Sequence, residues 1–372
     1  MRILISGGGT GGHIYPALAI VKALERLAEP AEIVFVGTQE GLESDIVPKE
    51  GYQLLTIQVG GLERRLSWRN VQTLARTLGG VWQSRAILRR FQPDIVIGTG
   101  GYVCGPVLLM ASLLNIPSLI QEQNAIPGIT NRILARFADR IAVGYAEAIP
   151  RFAATSKTVV TGNPIRDDVM AISREQGQQE LGLDPDKLTI LISGGSRGAQ
   201  SINKAAIPVV KALASRPGIQ LLHVTGKNDY NNIVGLYNQA GIEPGKNGNI
   251  SIRPYLYNMP HALAAADLAV FRAGAIGLAE LTARGIPAIL VPYPYAAENH
   301  QEHNARVLEA NGAAVVIRDA ELNGDALLAA MEDLLADPQK RLAMARASKS
   351  MGRPEAAARI AELAVSLARG KR

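Results

Sequence analysis

Cysteine, long apolar runs and several signature motifs are scarce or missing from this chain, and each shortage removes a class of protein. A single cysteine, Cys104, among 372 residues leaves no intramolecular disulfide and no cysteine-built zinc site, and fits a reducing compartment. No stretch approaches the roughly 18 uninterrupted apolar residues of a spanning helix, so no membrane crossing is expected. The opening Met1-Arg-Ile-Leu-Ile5 is too short an apolar run for a signal peptide, which makes a cytoplasmic location the expectation. The pattern Gly-x-x-x-x-Gly-Lys-Ser/Thr is absent, which excludes a P-loop NTPase, and no Ser/His/Asp or Cys/His arrangement is legible. His300 and His303 lack the spacing of a two-histidine helical zinc site, so no metal is assigned.

What is present fills two ordinary cores: 47% hydrophobic and 19% charged residues, the composition of a soluble globular protein. The formal net charge is +6, and its location says more than its size. Seven arginines (Arg64, Arg65, Arg69, Arg76, Arg85, Arg89 and Arg90) stand against one acid, Glu63, between Leu62 and Arg90, an excess equal to that of the whole chain. Both tryptophans, Trp68 and Trp82, share the segment. Arginine beside tryptophan suits a membrane surface, where guanidinium meets anionic headgroups and indole settles at the interface. Val71, Leu74, Leu78, Val81, Trp82 and Leu88 also form one helical stripe, which reads as a face buried on a sheet. The surface element is therefore assigned to Leu62, Arg64, Arg65, Leu66, Trp68 and Arg69, and Trp82 to the core. Gly79-Gly80 is expected to weaken this helix.

The chain is organised around Met1-Arg-Ile-Leu-Ile-Ser-Gly-Gly-Gly-Thr-Gly-Gly-His13, an apolar strand, a glycine loop and a helix start. A relative returns as Leu191-Ile-Ser-Gly-Gly-Ser-Arg-Gly-Ala-Gln200. Such a unit brings bare backbone N–H groups up to a phosphate. Gly7, Gly9 and Gly12 satisfy the dinucleotide pattern, but the second strand ends Val36-Gly37-Thr38-Gln39 without the acid that holds a ribose, and Glu32 sits at its wrong end. Nicotinamide binding is thereby disfavoured, and no cofactor is expected. Further strands are expected at Phe91–Gly98, Ile116–Gln121, Asp139–Val143 and Thr158–Val160, and a second glycine loop, Thr99-Gly-Gly-Tyr-Val-Cys-Gly-Pro106, follows the first of these. Gly162-Asn-Pro-Ile-Arg166 marks the domain boundary.

Residues 167–187 read as polar and turn-rich, ending in an Asp184-Pro-Asp186 turn. Strands recur at Leu188–Ser193, Ile219–Val224, Ile250–Ile252, Leu268–Phe271, Ala288–Val291 and Ala314–Ile317, again with a βα period. Phe271-Arg-Ala-Gly-Ala-Ile-Gly-Leu-Ala-Glu280 is a strand end and helix N-terminus, and Glu280 could meet a ribose diol. Glu298, Asn299 and Gln301 suit sugar hydroxyls. Binding of a nucleotide sugar in the second half and an acceptor in the first, with a group passed between them, is what remains. Such a transfer needs a stabilised departing diphosphate and a base for the attacking hydroxyl. Helix termini near Gly274 and Gly195, with Arg166, serve the first need. His13, the one histidine in a glycine loop, is the candidate base, its alternative role being to hydrogen-bond the loop or a phosphate.

Ser6-Gly-Gly-Gly-Thr-Gly-Gly-His-Ile-Tyr-Pro16, Gly98-Thr-Gly-Gly-Tyr-Val-Cys-Gly-Pro106, Glu122-Gln-Asn124, Gly162-Asn-Pro-Ile-Arg166, Gly194-Gly-Ser-Arg-Gly-Ala199, Ala273-Gly-Ala-Ile-Gly-Leu-Ala-Glu280 and Asn299-His-Gln301 resemble, in order and spacing, the MurG family of bacterial peptidoglycan glycosyltransferases. The resemblance covers essentially the whole chain. It implies an α/β, GT-B fold of two Rossmann-like doubly wound parallel-sheet domains with a cleft between them. The expected divisions are 1–162 for acceptor and membrane, 163–350 for UDP-GlcNAc, and a C-terminal helix in 351–372 packing back on the first domain. It further implies inverting, metal-independent transfer of N-acetylglucosamine from UDP-GlcNAc to the C4 hydroxyl of the muramyl sugar in undecaprenyl-diphospho-MurNAc-pentapeptide, at the cytoplasmic face of the cell membrane.

Carried over onto this sequence, the resemblance places UDP-GlcNAc against Thr10, Gly11, Gly12, Asn124, Arg166, Ser196, Leu256, Ala275, Ile276, Gly277, Leu278, Ala279, Glu280 and Gln301. The acceptor diphosphate falls to Gly9, Thr10, Gly100, Gly101 and Tyr102. Anionic membrane and other cell-wall synthesis proteins are the implied partners, and nucleic acid is not. Arg197, Ala273 and Gln121 depart from residues common in the family, and the last leaves open what a side chain does there. A UDP-GlcNAc 2-epimerase of the same architecture and a non-catalytic nucleotide-sugar binder are the alternatives. The arginine and tryptophan segment speaks against the first, and the intact glycine loops against the second.

Overall fold

The computed structural model describes residues 1–27, 30–60, 68–195, 198–242 and 249–370, with 68–78 described as helix backbone. The chain divides into two compact units, Met1–Arg166 with Pro354–Arg372, and Asp167–Arg353.

The first unit holds seven strands: β1 (Arg2–Gly7), β2 (Glu32–Gly37), β3 (Gln53–Thr56), β4 (Ile95–Gly100), β5 (Ser118–Glu122), β6 (Arg140–Val143) and β7 (Thr158–Val160). They form one parallel sheet in the order β3-β2-β1-β4-β5-β6-β7. Parallel strands need crossovers, and helices α1 (Gly11–Leu27), α2 (Glu43–Lys49), α3 (Trp68–Phe91), α4 (Cys104–Leu113) and α5 (Ile129–Leu134) lie between them in sequence. Successive residues of a strand point to opposite faces, so the continuous run Ile3-Leu4-Ile5 serves two cores. Ile3 and Ile5 pack with α1, and Leu4 packs with α4.

The second unit repeats the plan with β8 (Leu188–Ser193), β9 (Ile219–Val224), β10 (Ile250–Arg253), β11 (Leu268–Phe271), β12 (Ala288–Leu290) and β13 (Ala314–Val316), parallel in the order β10-β9-β8-β11-β12-β13. Its helices are α6 (Asp168–Ala171), α7 (Arg174–Leu181), α8 (Gln200–Leu213), α9 (Tyr230–Gln239), α10 (Met259–Ala265), α11 (Ala275–Arg284), α12 (His300–Ala310), α13 (Gly324–Ala336) and α14 (Pro338–Met351). The last helix, α15 (Ala356–Gly370), belongs to the first unit, where Ile360, Ala361, Ala364 and Ala368 pack with α1 residues in one core. Its alanines allow the two helix axes to approach closely.

Sequence expectations are corrected at three places, Trp82, residues 167–187 and Phe91. Trp82 is 67% exposed, not core. The buried face of α3 runs through Gly80, Ser84 and Leu88, and at about 100° per residue Trp82 lies opposite it. Gly79-Gly80 lies within a continuous α3, where a Cβ on Gly80 would stand 2.7 Å from Val59 and 2.9 Å from the Gln58 carbonyl, so glycine is what lets the helix settle there. The polar stretch 167–187 contains α7, started by a reciprocal capping box between Ser173 and Gln176 and ended by left-handed Gly182. Phe91 ends α3 instead of opening a strand, and β3 escaped notice because four residues of mixed polarity give no period.

Candidate active site

In both sheets the strand order reverses between two central strands, β1 and β4 in the first unit and β8 and β11 in the second. Loops leaving the carboxyl ends of such strands diverge and leave a crevice. In the first unit those loops are the two glycine loops of the sequence. They start side by side, since Gly7 pairs with Gly100.

Close approach explains why these loops are rich in glycine. A Cβ on Gly101 would lie 2.6 Å from the Gly8 carbonyl, and one on Gly100 would lie 2.6 Å from Nδ1 of His13. Both glycines also hold positive φ, +86° and +109°, which other residues rarely adopt. The result is a cavity of about 250 Å³ lined by Gly8, Gly9, Thr10, His13, Gly100, Gly101, Tyr102, Glu122, Asn124 and the 128–131 turn.

His13, in the first turn of α1, is tied to the second loop in both directions. Its Nδ1 lies 3.0 Å from the Thr99 carbonyl, and the Thr99 hydroxyl donates to the His13 carbonyl at 2.8 Å. A carbonyl only accepts, so Nδ1 carries the proton and Nε2 carries the lone pair in the neutral ring. The neighbouring Cys104 is a structural donor. Its thiol points at the Ser6 and Gly100 carbonyls, both at 3.0 Å, and burial pushes its pKa up to about 11.

Glu122, fully buried, shapes the far wall. It accepts from the Asn124 amide N–H (2.9 Å) and side chain (3.1 Å), from the Gly128 N–H (3.1 Å) and from the Asn131 side chain (2.8 Å). With four donors on one carboxylate, its role in this arrangement is to hold Asn124 and the 128–131 turn. Behind it, Gln121 donates to Asn163 at 3.1 Å and accepts from Gln123, and Gln123 in turn donates to the Thr99 carbonyl at 2.6 Å. A side chain at position 121 thus links the boundary motif at Asn163 to the loop that holds His13.

Of the residues singled out from sequence, Gly9, Thr10, His13, Gly100, Gly101, Tyr102 and Asn124 meet in this one cavity. Gly9 enters with a qualification: its N–H donates to the carboxylate of Glu43 at 2.8 Å. Gly11 and Gly12 open α1 without lining the cavity, and Arg166 is the last residue of the first stretch of the unit. Leu62, Arg64, Arg65, Leu66 and Ser196 lie outside the described residues, as does Arg197, and so do the side chains of Trp68 and Arg69.

The second unit brings its candidates to the equivalent edge. Ala275 to Glu280 form the first turns of α11, capped by Gly274. From α12, Gln301 accepts the Tyr293 N–H at 2.9 Å and Asn304 donates to the Ala273 carbonyl at 3.4 Å, which ties the loops after β12 and β11 to one helix. Arg272 is the clamp that sequence reading missed. It donates to the Val291 and Pro292 carbonyls, to Asp319 after β13 and to Ser201 in the first turn of α8. A single arginine in a motif of alanine and glycine gave no sequence signal of that reach. Leu256, after β10, is buried. Glu298 and Asn299 both hold positive φ, +52° and +54°, a strained pair in front of α12.

Two Rossmann-like parallel-sheet units with glycine loops at their switch points make this a two-domain α/β protein of the GT-B type. Residues 3–143 match the glycosyltransferase family 28 N-terminal domain, and residues 189–360 match the corresponding C-terminal domain. A relative from Desulforamulus reducens is 48% identical over 356 residues, 96% of each chain, and one from Moorella thermoacetica is 49% identical over 359 residues, again 96% of each. Both are named UDP-N-acetylglucosamine–N-acetylmuramyl-(pentapeptide) pyrophosphoryl-undecaprenol N-acetylglucosamine transferase. Crystalline MurG of Acinetobacter baumannii superposes with a TM-score of 0.77 at 28% identity, covering 98% of this chain and 99% of that one. A UDP-GlcNAc 2-epimerase of Neisseria meningitidis superposes at 0.70 with 14% identity, a likeness of fold alone. The chain belongs to family 28 and, within it, to the N-acetylglucosaminyltransferases that bear the relatives' name.

Proposed function

We propose that the chain transfers N-acetylglucosamine from UDP-GlcNAc to the C4 hydroxyl of the N-acetylmuramyl sugar of undecaprenyl-diphospho-MurNAc-pentapeptide, with inversion, in peptidoglycan synthesis. The observation that carries this is identity near one half with transferases of that name over 96% of both chains. The first unit takes the acceptor, its diphosphate at the cavity of Gly9, Thr10, Gly100, Gly101 and Tyr102. The second takes the donor along α11 and Gln301. In the transfer the C4 oxygen forms a bond to the anomeric carbon, and the bond from that carbon to the diphosphate oxygen breaks with its electron pair leaving on UDP. The hydroxyl proton passes to Nε2 of His13, whose lone pair the Thr99 carbonyl secures by holding the other ring nitrogen as N–H. Amides at the α11 N-terminus stabilise the departing charge.

No helix of the described residues is long and apolar enough to cross a membrane. The enzyme docks peripherally on the cytoplasmic face, where its lipid acceptor lies. Ile129, Ile133 and Phe137, spaced four apart, are 61%, 59% and 44% exposed, and Ile129 also lines the cavity. An apolar stripe therefore leads away from the cavity mouth, and on the adjoining helices Leu113 and Trp82 are exposed too, the latter beneath the Arg85 guanidinium. By its sequence, the segment from Leu62 to Arg69, with Arg64, Arg65 and Arg69, suits anionic headgroups as well.

Incubation with labelled UDP-GlcNAc and a lipid-linked MurNAc-peptide tests the transfer. Label should appear in the lipid fraction; ManNAc or unchanged UDP-GlcNAc in the aqueous phase, with unlabelled lipid, refutes it. For docking, replacing Ile129 and Ile133 by Asn, or Arg64, Arg65, Trp68 and Arg69 by Ala, should each reduce sedimentation with anionic vesicles, the second set losing its effect in high salt. Undiminished sedimentation of both variants removes the surface.

A further inference from the structure

The turn of the first glycine loop is held from behind by a carboxylate that no step above uses. Glu43, the first residue of α2, is fully buried yet does not line the cavity; the backbone of Gly8 and Gly9 stands between them. One carboxylate oxygen accepts the Gly9 N–H at 2.8 Å. The other accepts both the Thr38 N–H at 2.9 Å and the Thr38 hydroxyl at 2.7 Å. The fit is tight on two sides: a Cβ on Gly8 would come within 2.3 Å of the carboxylate, and one on Gly41 within 2.1 Å.

This arrangement sets the shape of the loop. Gly9 adopts φ +83° and turns its N–H away from the cavity toward Glu43, which leaves the amides that follow it to meet a ligand. Three donors converge on Glu43, and only an acceptor on both oxygens satisfies them. A glutamine of the same size would set its own NH2 against either Gly9 N–H or the Thr38 pair.

We propose that Glu43 is a positioning residue that, through Gly9 and Thr38, presets the Gly8–Thr10 turn for the acceptor diphosphate, acting as a hydrogen-bond acceptor and not as a space filler. The assignment rests on the acceptor reading of the cavity given above.

The test uses the full chain as wild type, Glu43→Gln and Thr38→Val, which removes the hydroxyl that donates to Glu43 and accepts the Gly41 N–H at 3.2 Å while leaving the Gly9 and Thr38 N–H donors in place. Kinetics are taken with lipid-linked acceptor and UDP-GlcNAc varied separately, beside thermal unfolding. Glu43→Gln should lower kcat/KM for the acceptor by about 10-fold or more with the donor KM within about twofold, and Thr38→Val should give a smaller fall of a few-fold in the same direction. Unchanged acceptor constants in either folded variant overturn the proposal, as does an effect on the donor KM alone. Should Glu43→Gln not fold, Thr38→Val decides. Calorimetric titration with farnesyl diphosphate needs no turnover and separates the two readings. Weaker binding by the variants than by wild type supports Glu43 even if wild type transfers no sugar, and equal or absent binding by wild type and variants overturns it.

Discussion

His13 earns its place in the proposed mechanism by tautomer as much as by position. Removal of the base should lower kcat by about 100-fold or more, so His13→Ala assayed at saturating acceptor is expected to lose turnover. A change confined to the acceptor KM would make the imidazole a phosphate ligand. Gly100→Ala should mimic part of that loss with the imidazole still present, because its Cβ would come 2.6 Å from Nδ1 of His13 and push the ring aside, and its φ of +109° resists a side chain. A different histidine governs stability. His223 is fully buried between Asn203 and Tyr237. Asn203 gives its NH2 to the Thr225 carbonyl and Asp229, so its oxygen receives Nε2–H of His223, and Tyr237 donates to Nδ1. Burial pushes the His223 pKa down to about 4. Between that value and the ordinary one of about 6.5 the unfolded chain binds a proton that the folded chain refuses. The contribution is complete above about pH 6.5 and disappears as pH falls toward 4, about 3 kcal/mol in total. Urea unfolding at pH 5 and pH 7 should show the decline, and His223→Gln should flatten it.

Among the elements, α3 shows how a correct periodicity can still take in one residue from the opposite face. Val81 and Leu88 do sit on the inner side, but the contact is organised by Gly80 and Ser84, residues whose importance comes from smallness. Gly80→Val should therefore cost about 2 kcal/mol through overpacking against Val59 and the Gln58 carbonyl. Trp82→Ala should stay within about 0.5 kcal/mol, as exposed substitutions do. Chemical denaturation of the two variants compares them directly, and a larger loss at Trp82 would return it to the core. Helix α7 is the converse case: its start is local, a capping box of Ser173 and Gln176 inside a stretch read from sequence as turn, whereas its close approach to α10, where Gly177 would carry a Cβ 2.4 Å from the His261 carbonyl, was a matter of packing.

At the scale of the molecule, the chain leaves its first unit at Arg166 and returns to it at Pro354. Residues more than three hundred positions apart thus share one core, with Ile360 beside α1. Ile360→Ala should destabilise the first unit by about 3 kcal/mol, since a fully buried branched side chain leaves a cavity that helices do not easily close. Hydrogen exchange should report the loss in β1 and α1 before it reaches the second unit. Equal loss of protection in both units would show instead that they unfold as one.

Much of the plan was written locally. Apolar runs bounded by glycine and proline gave most strands of both sheets, since a parallel strand buried on both faces needs little more than such a run. The seven motifs carried the resemblance that indicated family and reaction, and the glycines among them follow from backbone approach to a phosphate. Tertiary structure decided what depends on neighbours distant in sequence: that Thr99 orients His13, that Glu122 holds Asn124, that Arg272 joins the loops at the edge of the second sheet, and that Glu43 stands behind Gly9. No period or spacing foretells these, because each joins groups that only the sheet order brings together, and a buried carboxylate looks like any surface one until its three donors are in place.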